Sequence, residues 1–242
     1  MKNATRAANS SVDMKSVNTE PAGGQIQNLP TRSAAAAGLQ SLAATLGTGR
    51  RLVESITDDQ YLLSLASAST NEHSSNASEA TCQAQKRASV GCHFRHLLDL
   101  CRTVAHAAEL GASFHGQFND KVSPTAAIVV NYDIRRRHTN LETSRGECLD
   151  EFRDLESLAV SLSSVQYNAV IPVSVVSELE CSNTNESLAV ASTLARELCF
   201  ASLHATHHFA IITQILNSHG LAVNPQASLA PATKRALEKD AG

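Results

Sequence analysis

Apolar side chains recur at three- and four-residue steps through four stretches of the chain, separated by polar and small residues. Leu39, Leu42, Leu46, Val53 and Ile56 keep that spacing, which predicts an amphipathic helix over about 33–56. Thr57-Asp-Asp-Gln-Tyr61 reads as its end, followed by a fresh cap. Phe94, Leu97, Leu98, Cys101, Val104 and Ala108 repeat the pattern behind Ser89, a capping residue type, and predict a second helix from Val90 to about Leu110. Leu141, Cys148, Leu149, Phe152, Leu155 and Leu162 predict a third over about 141–162. A last long helix is expected over about 187–218, stopped by Gly220.

The stretches between are of other kinds. Residues 67–88 form a polar connection rich in Ser, Asn and Glu, and 111–140 is irregular apart from the β-prone run Ala127-Ile-Val-Val-Asn-Tyr132. Val170-Ile-Pro-Val-Ser-Val-Val176 alternates and is β-branched, so a short edge strand or strap is expected, with Pro172 excluding a central position. Beyond Gly220 the text around Ala230-Pro231 allows one short helix. Four long amphipathic helices with a long link between the second and third describe an all-α fold, a four-helix bundle with long crossover connections. Its domain runs from about 31 to 235, between a disordered tail at 1–30 and a short tail at 236–242. The first segment has too few large apolar residues to offset chain entropy.

Composition sharpens this picture. Hydrophobic residues make up 43% of the chain but aromatics only 4%, so helices pack through small aliphatic side chains. A net charge of −3 supplies no basic field and argues against a nucleic-acid partner. No continuous apolar run suggests a secretory leader or a membrane span, so a soluble cytoplasmic protein is expected. The six cysteines form no Cys-x-x-Cys pair and read as reduced, mostly buried small hydrophobes.

Candidate chemistry lies in histidines. His204 and His208 stand four residues apart, one above the other on a helix face. With Glu197, Ala201, Ile211 and Ile215 they follow a seam that faces the core, where paired imidazoles need a partner such as a divalent cation. The second helix offers His93 and His96, one turn apart, of which His96 is the favoured third ligand. His207 projects to one side of the seam and suits a supporting place or the surface; His93, Glu197 and Asp99 are alternative ligands or supports. Zn²⁺, Ni²⁺ and Fe²⁺ all suit imidazoles, and an all-histidine set leaves the ion its full charge toward water, a carbonyl or a thiol. Arg135 and Arg137, with Tyr132 and Arg196, are candidates for binding an anionic small-molecule substrate. No general base or nucleophile stands beside the triad in sequence, so catalytic residues are unassigned.

Ser89-Val-Gly-x-His-x-Arg-His-x-Leu-Asp99, Tyr132-Asp-x-Arg-x-Arg137, Ser192-Thr-Leu-x-Arg-Glu-Leu198 and His204-x-x-His-His-x-Ala-x-Ile212, closed by Ala230-Pro-x-Thr233, occur in an order that resembles the DinB-like superfamily of four-helix metal proteins. The resemblance covers about 33–235. It implies an up-down-down-up bundle binding a divalent metal through His96, His204 and His208. It also implies transfer or isomerisation chemistry with a low-molecular-weight thiol, or kinship with the N-terminal domains of iron-dependent sulfoxide synthases; a metal-activated water adds the expectation of hydrolysis of a small molecule. Relatives often carry a further His where Leu100 stands and a glutamine-like residue where Cys92 stands, and the 67–88 segment is longer than the family pattern. The competing expectation is a non-catalytic bundle in which a metal or bare histidine cluster ties helices together, acting through a homodimer or in a stress response.

Overall fold

The computed structural model describes residues 33–65, 88–113, 128–167, 170–178 and 187–240. The expected tail at 1–30 and nearly all of the polar connection at 67–88 lie outside the described residues, as do Cys82 and Cys181. Within them the chain is mostly helical: α1 is Ala34–Glu54, α2 Asp58–Tyr61, α3 Val90–Ser113, α4 Arg145–Ser163, α5 Leu194–Ser218 and α6 Pro231–Asp240.

Each of the four long helices starts where a hydroxyl can accept from an orphan backbone N–H. Ser33, Ser144 and Thr193 accept from the amides of Ala36, Glu147 and Arg196. The expected cap Ser89 accepts from Cys92 at 3.2 Å. α5 ends as its sequence indicates. Gly220 adopts φ +73°, while its amide and that of Leu221 return to the carbonyls of Asn217 and Leu216, closing the last turn.

α1 packs against α4 and α5, and α3 packs against the same two helices. Leu39, Leu42, Leu46, Phe94, Leu97, Leu98, Phe152, Leu198, Phe209 and Ile212 meet in a single core. Fully burying each large apolar side chain contributes about 1.5–3 kcal/mol. Tyr61 stacks on Phe94 with ring centres 5.9 Å apart and donates its hydroxyl to the Leu141 carbonyl, fixing α2 against the turn of 3-10 helix at Asn140–Glu142.

The all-α expectation is corrected by a three-stranded sheet. β1 (Ile128–Asn131) runs parallel to β2 (Pro172–Glu178), and β2 runs antiparallel to β3 (Ser187–Thr193). The first two strands coincide with the β-prone run and the expected strap. β2, however, lies in the middle of the sheet, with Pro172 at its first residue, where the missing N–H costs no interior ladder bond. β3 takes residues that the helical pattern assigned to the last helix, so α5 begins seven residues later than expected, at Leu194. Leu188 and Val190 alternate with small residues, and Val190 lies opposite Val175. Cross-strand pairing thus overrides a period read too far upstream. The sheet also sets the approach to α5: the Tyr132 amide donates to Val176 and the Leu194 amide to Ile171.

Candidate metal centre

α5 carries His204 and His208 on successive turns, and α3 brings His96 to the same point. Their ligand nitrogens all lie within 4.8 Å of one another. Nε2 of His204 is 3.3 Å from Nε2 of His96 and 3.1 Å from Nε2 of His208. Two imidazoles on a common divalent ion, each at about 2.1 Å, place their nitrogens roughly 3.0–3.4 Å apart. Two of the three nitrogen pairs meet that spacing and the third lies within 4.8 Å, so the group could hold a divalent cation.

The electrostatics agree with that fit. Burial, reinforced by the Arg135 charge and His204, pushes the His96 imidazolium down to about 4. Burial and the surrounding histidines push His208 down to about 3. His93 and His204 are lowered too, by burial first and His207 next. All four rings are neutral near pH 7, the form that ligates a metal.

His208 is buried, whereas His96 and His204 are half-buried. The centre of the α5 core face runs through Leu198, Ala205 and Ile212, so His204 and half-buried Ile211 sit at the seam's margin. One side of the cluster therefore faces outward.

His93 is not grouped with the three. Its Nδ1 lies 3.1 Å from Nδ1 of His208, the nitrogen turned away from the cluster, so one of the pair donates and the other accepts. A ligating imidazole that donates its second N–H is fixed in tautomer and orientation. His207 is exposed, with its ring centre 5.5 Å from that of His208.

The acidic candidates serve other partners. Asp99 is buried beneath the guanidinium of Arg95 at 3.1 Å and accepts from both the backbone and side chain of Arg136. Arg95 also reaches Glu142, and Arg136 reaches Glu151. Glu197, fully buried, accepts from the hydroxyls of Tyr132 and Ser192 and from Arg196. Burial opposes its ionisation, but these donors outweigh burial and hold the carboxyl below the usual range. Burial first, and then the contact with Glu197, push the Tyr132 phenol up.

The expected substrate-binding residues separate accordingly. Tyr132 and Arg196 are occupied by Glu197, and Arg196 lies over the Phe200 ring at 5.5 Å. Arg135 is held by the carbonyl oxygen of Tyr132, and its charge acts on His96 and His204. Arg137 is exposed. The sequence assigns no role to Arg136 or to Phe200, whose ring centre is 5.5 Å from that of His204, and names Ser192 only within a motif. Arg136 left no local signal, but Phe200 was legible as the residue one turn before His204. Among the described cysteines, Cys101 and Cys148 are buried and Cys199 is exposed.

Neither a family model nor a solved structure matches the chain. A curated protein named FK506-binding protein 5, from Rhizopus delemar, is 29% identical over 121 residues, 49% of this chain and 31% of that protein. The chain thus spans about a third of the length of that relative.

Proposed function

We propose that this chain is a metal-dependent enzyme of the DinB-like kind, an up-down-down-up bundle in which a divalent ion at His96, His204 and His208 activates a small thiol or water for transfer to, or hydrolysis of, a small molecule. The convergence of three neutral Nε2 atoms from two helices carries the reading. The packing of α1 and α3, each against both α4 and α5, supports the bundle.

A bound Zn²⁺, Ni²⁺ or Fe²⁺ would supply Lewis acidity, undiminished by any anionic protein ligand. The chain's own residues divide the remaining tasks. His93 holds the His208 ring through its Nδ1. Arg135 places positive charge beside His96 and His204, which favours a substrate carrying a carboxylate near the reacting group. Glu197 anchors Tyr132 and Phe200's helix, so the Tyr132–Arg137 segment stays beside the rings.

The second reading is a non-catalytic tie between α3 and α5, favoured by the burial of His208 and its contact with His93. Metal content of protein purified without added metal, beside that of His204→Ala, tests the metal. One equivalent in the parent, lost in a variant of unchanged helicity, is the expected result. No bound metal in either protein overturns both metal readings. Exchange-labile water or a thiol on the bound ion, read by spectroscopy of the Co²⁺-substituted protein, separates the enzyme from the closed tie.

A further inference from the structure

A cavity lies between α1 and the segment that follows α5, away from the histidines. Its volume is about 310 Å³, and Thr48, Arg51, Ser55, Asn224, Gln226 and Lys234 supply its polar lining. A neighbouring cavity of about 210 Å³ shares Thr48 and Lys234 with it, so the two form one groove along α1. Among the described residues, no acidic side chain lines either one.

The two neighbouring arginines of α1 are used differently. Arg50, the preceding residue, pairs with both Glu54 and Glu156. Arg51 instead donates to the Thr48 hydroxyl at 3.2 Å, and neither it nor Lys234 forms an ion pair among the described residues. Arg51 from α1 and Lys234 from α6 thus bring two cations outside any ion pair to the lining of one cavity, an arrangement that favours an anionic occupant. Leu52, Val223 and Ala227 add an apolar wall.

We infer that this groove binds the oxyanion of a small organic molecule, a carboxylate or phosphate monoester, gripped by Arg51 from α1 and Lys234 from α6, with its apolar part against Leu52 and Val223. A guanidinium offers paired N–H donors to such an oxyanion, and an ammonium adds a mobile point charge. The site is separate from the triad: Thr206, on the groove's α5 wall, projects about 160–200° round the helix from His204 and His208. A ligand here would fasten the C-terminal segment to α1.

Calorimetric titration of the full chain with phenyl phosphate and with benzoate, against chloride at matched ionic strength, tests the inference. One site is expected for at least one probe, with affinity reduced about tenfold in Arg51→Gln and in Lys234→Gln. Ala227→Phe, which fills the groove and leaves both cations, should also abolish binding. His204→Ala should bind as the parent does, so loss of the metal site leaves this result unmoved. Absence of binding for both probes, binding equal to that of chloride, or affinity unchanged in the Arg51 and Lys234 variants would overturn it.

Discussion

Nδ1 of His208 is directed at His93, a contact on the side of the ring opposite the nitrogen that meets His204. Partners that orient a metal-ligating imidazole typically contribute 10–100-fold in metal affinity. His93→Phe keeps a ring in the space but removes both nitrogens. We expect Zn²⁺ affinity, measured by chelator competition, to fall about tenfold or more while helicity is unchanged; an unaltered affinity would show that packing alone orients His208. Glu197 gives a second residue-level expectation, with a sign set by its depressed folded value. Its contribution to stability is complete above the unfolded carboxyl value of about 4.3 and is lost as pH falls through the lower folded value. Tyr132→Phe removes one donor to this carboxylate and should cost about 1.5–3 kcal/mol at pH 7 by denaturant unfolding. That difference should shrink below pH 4; a cost constant from pH 7 to pH 3 would mean the phenol supports Glu197 by packing and not by charge. The His204–His208 pair was legible because i, i+4 spacing is a local rule, whereas the meeting of His96 with that pair depends on the packing of α3 against α5. The role of Arg136 was not legible, since Asp99 and Glu151 reach it from 37 and 15 residues away.

α3 owes its position to a close approach. A Cβ on Gly91 would stand 2.2 Å from the Glu142 carbonyl oxygen and 2.5 Å from the Tyr61 ring, so only glycine lets the helix start lie against the 3-10 turn. Gly91→Ala should cost about 1–3 kcal/mol through overpacking. Because His93 and His96 lie within the next two turns of the same helix, metal affinity should fall along with thermal stability. A variant that melts lower yet binds metal as the parent does would separate the turn from the site. The elements themselves were unevenly readable. α1, α3 and α4 carry long runs of a single period, and their observed limits fall within a few residues of the expected ones. β3 was hidden because Leu188-Ala-Val-Ala191 suits either a helix or a strand. Pairing with β2, a non-local contact, decides between them.

For the molecule as a whole, the cluster links α5 to α3, helices that also pack along their lengths, while the sheet fastens Tyr132 to the start of α5. An ion held by rings from both helices binds the folded chain far better than the unfolded one. Free ion at 100 times its dissociation constant should therefore stabilise the fold by about 2.7 kcal/mol. For a domain of this size that is a rise in Tm of roughly 5–11 °C. Scanning calorimetry of chelated protein, with and without added Zn²⁺, should show that rise in the parent and none in His96→Ala. His106→Ala alters an exposed imidazole that contacts Glu109 on α3, outside the triad, and should behave as the parent does. An equal rise in His96→Ala would place the stabilising ion elsewhere in the chain, and the proposed coupling of α3 to α5 through a shared metal would fail.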